Sequence, residues 1–200
     1  MKNILKVLLS AIIIFSTTDY AFSAVLGFDD ITTENFAQIP DSKYELNWQN
    51  TYVMSNATFP GSGYDNGTNS PSYTASNWMP GMELDQIRSI TISKNDGYFD
   101  FNSAYFTSAF TDDDNITVAG YTDGIKTYTS TVVIDTQQPY FASLNFVGVN
   151  QVTIAGSNPF AMDDMTIDET ASPPTPAPEP TSMLLGIIGL VGIIGLKKKK

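Results

Sequence analysis

Apolar and polar side chains alternate in short runs across residues 24–170, as they do in β-strands with one buried face. Ile116 and Val118 flank a threonine, and Val152 and Ile154 flank another. No helical period of comparable length occurs in this part of the sequence. The pattern therefore predicts a series of short strands. One predicted strand, residues 46–54, would place on one face Leu46, Trp48, Tyr52 and Met54.

Turn residues separate these runs. Asp123-Gly124 stands between two alternating segments, and this dipeptide favours the type I′ turn of a two-residue β-hairpin. A similar break occurs at Gly148–Asn150. About eight to ten strands at such spacing predict an all-β fold, an antiparallel β-sandwich. A jelly roll is the favoured topology, and a closed barrel is the alternative.

The first 23 residues have the layout of a secretory signal peptide. Two lysines precede an apolar run at residues 7–15 that is too short to span a bilayer. Small and polar residues follow. We predict a signal peptide at residues 1–23, and a buried helix of the folded domain is the alternative. The residues at the predicted cleavage site are Ala21, Ser23 and Ala24.

The other end of the chain has three successive parts. Residues 171–177 form a Pro-rich linker, and residues 178–200 begin with a Pro-Glu-Pro triplet. The uncharged apolar stretch Ser182–Leu196 would cover about 22 Å as a helix, against a hydrocarbon core of about 30 Å. We predict a short transmembrane helix here. Its basic end, which favours a cytoplasmic C-terminus, consists of Lys197, Lys198, Lys199 and Lys200.

This order of triplet, apolar helix and lysine cluster resembles the PEP-CTERM sorting signal of exported proteins in Gram-negative bacteria. The triplet consists of Pro178, Glu179 and Pro180. The resemblance implies processing by an exosortase-type membrane protease. It also implies a precursor anchored in the inner membrane and a mature form at the cell surface or secreted. A plain tail anchor on a Pro-rich stalk is the alternative.

Residues 27–168 are also similar to a domain that recurs in front of such tails. The similarity implies a jelly-roll-like sandwich, without an activity that transfers to this chain. It is carried by the segments Gly27–Ile31, Leu46–Trp48 with Tyr52, Pro60–Tyr64, Phe99–Tyr105, Val118–Tyr121 and Phe160–Ile167.

Composition excludes several classes of function. The chain has no cysteine and no histidine, so it has no disulfide, no thiol nucleophile and no Ser–His–Asp triad. The net charge is −11, and residues 24–178 alone carry four cationic and 19 acidic side chains, a formal charge of −15. A body this acidic is unsuited to binding nucleic acid through phosphate contacts.

Two pairs of adjacent carboxylates begin and end the predicted sandwich: Asp29 with Asp30, and Asp163 with Asp164. The first and last strands of jelly rolls often lie side by side, which would bring the pairs together. Ca²⁺ prefers oxygen ligands of this kind. We therefore predict a structural calcium site, with Asp29 and Asp163 as its main ligands. Hydrogen-bonded residues at a strand edge are the alternative.

Residues 59–80 interrupt the strand pattern with Gly, Pro, Asn and Ser. This predicted loop carries Tyr64, Tyr73 and Trp78, whose rings are suited to stacking on sugars. The alternative is that these rings plug the end of the sandwich.

These features predict an exported, non-enzymatic protein of the cell surface or of the extracellular polysaccharide matrix. Its predicted partners are the processing protease and extracellular polysaccharide. The first alternative is a carbohydrate-binding module that uses the loop aromatics. The second is a glycan-active hydrolase, because glycoside hydrolysis needs only two carboxyl groups and no histidine.

Mass spectrometry of both termini tests the export prediction. We expect the exported protein to begin at Ala24 and to lack the terminal lysines, because a signal peptidase and an exosortase would each remove one end. Recovery of the intact chain of 200 residues from the cytosol would contradict it.

Overall fold

The computed structural model describes residues 23–168, which form two antiparallel β-sheets with a hydrophobic core between them. This confirms the predicted all-β, antiparallel class. The strands are β1 (Ala24–Leu26), β2 (Phe36–Gln38), β3 (Asn47–Gln49), β4 (Tyr52–Ser55), β5 (Tyr73–Ser76), β6 (Ile90–Ser93), β7 (Phe99–Ser108), β8 (Asp114–Thr122), β9 (Ile125–Ile134), β10 (Tyr140–Val149), β11 (Gln151–Gly156) and β12 (Phe160–Ile167). One short α-helix, α1 (Gly63–Asn66), and 3-10 turns at Lys43–Glu45, Asn56–Thr58 and Leu84–Gln86 complete these residues.

The larger sheet, sheet A, has the strand order β10-β7-β12-β5-β4-β2, and β1 also pairs with β12. The smaller sheet, sheet B, has the order β3-β6-β11-β8-β9. From β6 to β12 the chain changes sheet at every connection except the β8–β9 hairpin. Most sequential strands in this part of the chain therefore lie in opposite sheets.

The core between the sheets contains the apolar positions of the alternating runs. Ile116 and Val118 of β8, with Val152 and Ile154 of β11, are fully buried, while Thr117 between the first two is exposed. Burying one such side chain contributes about 1.5–3 kcal/mol. The largest side chains buried in this core are Trp48, Phe28, Phe99, Phe101, Phe106 and Phe160.

The predicted type I′ turn is present between β8 and β9. Asp123 has φ of 52° and Gly124 has φ of 79°, and the flanking residues Thr122 and Ile125 pair directly. Positive φ at both central residues matches the right-handed twist of the hairpin.

The prediction of a single strand over residues 46–54 is wrong. Asn50 adopts the left-handed conformation, with φ of 54°, and divides the segment between the two sheets. Trp48 in β3 therefore faces the main core, whereas Met54 in β4 belongs to a second, smaller apolar cluster. Asparagine tolerates this conformation better than most residues, which explains why the chain turns there.

Residues 56–72, here called the covering segment, lie over the outer face of sheet A. Tyr64 of α1 is fully buried against Met54, Ala109 and Ala161, which point away from the main core. The backbone N–H of Gly63 donates to the carbonyl of Ala109 at 2.9 Å. The fold thus has three layers over part of sheet A: sheet B, sheet A and the covering segment.

Among residues 23–168, no helix is long and apolar enough to cross a membrane. The predicted linker, sorting segment and spanning helix, and all of the signal peptide but its last residue, lie outside the described residues.

Replacing Gly63 by alanine tests how the covering segment is docked. The new Cβ would overlap the carbonyl oxygen of Ser108, a backbone atom that cannot move aside. We expect the free energy of unfolding, measured in urea, to fall by about 3 kcal/mol.

Gly27→Ala is the matched control, because its Cβ would meet the Ser70 hydroxyl at 3.6 Å, an ordinary contact. Equal stability of the two variants would show that the segment is not held against sheet A at this point.

Candidate functional site

The carboxylate of Asp163 fixes the covering segment to sheet A. Its Oδ2 accepts hydrogen bonds from the backbone N–H of Asn69 and of Ser70, both at 2.8 Å. The Ser70 hydroxyl donates to Oδ1 at 2.9 Å. Burial raises the pKa of Asp163, and these hydrogen bonds counteract part of that rise. One buried carboxylate on β12 thereby holds a loop that lies about 95 residues earlier in the chain.

A β-bulge at Asp164 brings two consecutive carboxylates to the same loop. Asp164 has φ of 44°, and the pairing of β12 with β7 shifts register between Asp163 and Thr166. Such a bulge breaks the alternation of faces along a strand. As a result, the side-chain amide of Asn69 donates to Asp164 while its backbone N–H donates to Asp163.

The covering segment leaves part of the outer face of sheet A open, and a groove of about 360 Å³ forms there. Its floor consists of directly paired residues on neighbouring strands. Tyr105 of β7 pairs with Phe141 of β10, and the two ring centroids lie 5.1 Å apart at an interplanar angle of 54°. Phe141 is 51% exposed. The groove is lined by Ser23, Val25, Asn69, Ser103, Tyr105, Phe141, Asp164 and Thr166.

The groove combines an apolar platform with polar groups along its rim. The rings of Tyr105 and Phe141 lie beside the hydroxyl of Thr166, the amide of Asn69 and the carboxylate of Asp164. Tyr105 and Thr166 are only partly buried and both line the groove. Apolar surface with a few convergent polar groups is typical of small-molecule and oligosaccharide sites.

A second depression, of about 470 Å³, lies beside Phe59 and Phe110 at the other end of the covering segment. Its hydroxyls are already engaged within the protein. Ser62 donates to the carbonyl of Phe59 at 2.6 Å, and Thr136 donates to Asp112 at 2.6 Å. The groove over Tyr105 is therefore the better candidate for recognition.

The four predicted calcium ligands each accept a hydrogen bond from another group of the protein. β1 pairs with β12, as the sequence predicted for the first and last strands. However, Asp163 is surrounded by N–H and O–H donors, and Asp29 accepts from the backbone N–H of Ser72 at 2.8 Å. Among residues 23–168 no group of three or more acidic side chains is placed to hold a metal ion. Calcium binding by Asp29 or Asp163 would have to replace these hydrogen bonds with metal ligation, and the calcium site stays a prediction.

Asp30 belongs to a separate ion pair. Its Oδ2 lies 2.7 Å from the Lys43 ammonium, and its Oδ1 lies 2.8 Å from the Tyr44 hydroxyl. The hydrogen bonds from Lys43 and Tyr44 lower the pKa of Asp30. This carboxylate is thus already neutralised by the protein's own cation.

The three aromatic residues predicted to stack on sugars do not lie together in an open site. Tyr64 has no exposed surface, and its hydroxyl lies 2.7 Å from that of Ser76, which corrects its assignment as a stacking residue. Trp78 is half-buried and donates through Nε1 to the carbonyl of Met82 at 2.9 Å. Tyr73 packs against the main core. For Tyr64 the alternative interpretation, a ring that plugs part of the sandwich, describes the structure better, because its ring fills the space between the covering segment and sheet A.

Sequence reasoning missed Tyr105 and Phe141. Their positions in the alternating pattern could have identified them. Tyr105 directly precedes the core residue Phe106, and Phe141 directly precedes the core residue Ala142. Because successive side chains of a strand point to opposite faces, both must face the outer side of sheet A. Register shifts in the pairing of β7 with β10 and β12 make this alternation hard to follow along the whole strands.

No family model matches the chain, and no curated protein matches it. Among solved structures, the CBM22-1–GH10 modules of the Clostridium thermocellum endo-1,4-β-D-xylanase 10B, complexed with xylohexaose, align over 76% of this chain and 29% of that chain, with 12% identity and a TM-score of 0.39. TmCBM61, in complex with β-1,4-galactotriose, aligns over 70% of this chain and 92% of that chain, with 9% identity and a TM-score of 0.32. Likenesses this weak assign no function to the chain.

Replacing Asp163 by asparagine tests the anchor. An amide nitrogen would face N–H donors in place of an oxygen, and a buried, charge-assisted set of hydrogen bonds would be lost. We expect the free energy of unfolding to fall by about 2–3 kcal/mol and the covering segment to become sensitive to limited proteolysis.

Asp113→Asn is the control, because Asp113 is exposed with φ of 55°, a conformation that asparagine tolerates. A melting temperature that falls when calcium is chelated from the wild-type protein would instead support the predicted ion site.

Proposed function

We propose that residues 24–168 form a non-catalytic polysaccharide-binding domain of an exported protein. The observation that carries this proposal is the groove on sheet A, where Tyr105 and Phe141 lie beside Asn69 and Asp164. The proposal combines the two roles that the sequence predicted, that of a matrix protein and that of a carbohydrate-binding module. It assigns binding to residues on the open face of sheet A instead of the loop aromatics.

The chemistry of the groove suits a sugar ring. A pyranose has an apolar C–H face and a rim of hydroxyls, so it stacks on an aromatic ring while its hydroxyls form hydrogen bonds at the edge. Phe141 offers the stacking surface. Thr166, Asn69 and Asp164 offer donors and acceptors at the rim.

The position of the site on paired strands supports binding at low entropic cost. Tyr105 and Phe141 are directly opposite on β7 and β10, and Thr166 pairs with Ser103. Side chains on such a ladder are already ordered before a ligand arrives, so less conformational freedom is lost on binding.

The carboxylate content of the groove favours binding over hydrolysis. Glycosidases flank the scissile bond with two carboxyl groups. Among the described residues that line the groove, Asp164 is the single carboxylate, since the neighbouring Asp163 is buried under the covering segment.

We also propose the jelly-roll topology and the sorting route as parts of the same function. Repeated crossing between sheets from β6 to β12 supports the jelly roll. The Pro178–Pro180 triplet, the apolar stretch and the lysines support export and exosortase processing. A surface-delivered domain with an open groove would retain or organise extracellular polysaccharide.

Replacing Phe141 by alanine tests the proposed site. Because the ring is half exposed, its loss should leave the fold intact while removing the stacking surface. We expect affinity for the polysaccharide selected on a glycan array to fall about tenfold, measured by affinity electrophoresis.

Phe36→Ala is the matched control, since Phe36 is 39% exposed on β2, at the far edge of sheet A. Binding that Phe36→Ala weakens and Phe141→Ala does not would locate the ligand elsewhere. Absence of any bound glycan would overturn the proposed function.

A further inference from the structure

The charge of the groove points to one class of glycan. Resting on the proposed polysaccharide-binding function, we propose that the groove selects polymers of amino sugars with free amines over neutral and anionic polysaccharides.

Asp164 gives the groove an uncompensated negative charge. It is the single charged residue among the described groove-lining residues. Its hydrogen-bond partner at the rim is the Asn69 side-chain amide, which is neutral and leaves the carboxylate charge in place. A protonated sugar amine would supply the missing positive charge.

The four cationic side chains of the described domain lie outside the groove lining. Lys43 pairs with Asp30 at 2.7 Å, and Lys126 lies over the ring of Tyr121 on sheet B, 5.8 Å from its centroid. The Arg88 guanidinium donates to backbone carbonyls of its own loop, and Lys94 borders a cavity beside Tyr44. None of these four cations lines the groove, so the lining itself offers no positive charge to a uronate or sulfate.

The net negative charge of the whole domain also favours cationic over anionic ligands at long range. Residues 23–168 carry four cationic and 18 acidic side chains, a formal charge of −14. Such a field attracts a polycation and repels a polyanion before contact is made. Within the groove, an ammonium held near the rings of Tyr105 and Phe141 also gains a cation–π interaction.

A matched pair of oligosaccharides isolates this preference. The β-1,4-linked hexamer of glucosamine and its fully N-acetylated counterpart have the same length and linkage, and they differ in charge. We expect the full-length chain, in a mild detergent and at mildly acidic pH, to bind the free-amine hexamer about fivefold more tightly. A polyuronate should not bind. Isothermal titration calorimetry measures all three.

Asp164→Asn separates the groove charge from the charge of the whole protein. This variant should lose the fivefold preference for the free-amine hexamer. Asp85→Asn removes one exposed carboxylate outside the groove lining and should keep the preference. Because both variants change the net charge equally, a difference between them reports on the groove.

Each alternative outcome has a distinct meaning. Equal affinity of the wild-type chain for the two hexamers would overturn the amine preference and leave polysaccharide binding in place. Amine binding that neither Asp164→Asn nor Phe141→Ala weakens would show non-specific charge attraction and would also overturn the inference. Failure to bind any of the three ligands would overturn the inference, and failure to bind any glycan on the array would overturn the proposed function as well.

Discussion

The attachment of the covering segment to the buried carboxylate of Asp163 is the interaction on which the outer face of sheet A depends. An ionised carboxyl group in a protein interior is costly unless donors surround it. The backbone of Asn69 and Ser70 supplies those donors, so the loop and the carboxylate stabilise each other. Without this contact the groove would lose its wall.

A second apolar cluster reinforces the attachment from the other side of the segment. Tyr64 is buried against the sheet, and its ring lies near those of Phe59 and Phe110, with centroids 6.1 and 5.8 Å away. Aromatic contacts of this kind contribute about 0.5–1.5 kcal/mol each beyond their buried area. Polar anchoring at one end and aromatic packing at the other together define how much of sheet A remains open.

Hydrophobic alternation and turn residues correctly predicted the fold class. They gave wrong or incomplete predictions where the backbone departs from regular strands. Asp123-Gly124 specified its turn because few residues accept positive φ at two successive positions. The pairing of the first and last strands also followed from topology. Alternation could not reveal that Asn50 divides one run between two sheets, or that the bulge at Asp164 turns two adjacent carboxylates to the same loop. Both departures depend on backbone conformations that hydrophobic periodicity does not encode. The same limit applies to Tyr64, whose burial depends on what lies opposite it.

The groove is assembled from two structurally separable parts. Its floor belongs to strands β7, β10 and β12, whereas Asn69 of the covering segment, with Ser23 and Val25 at the start of the domain, borders it. Insertions or exchanges within the covering segment can reshape this border while Asp163 and the sandwich stay unchanged. A scaffold built in this way can acquire new ligand preferences through changes in one loop, while the packing of its hydrophobic core stays the same.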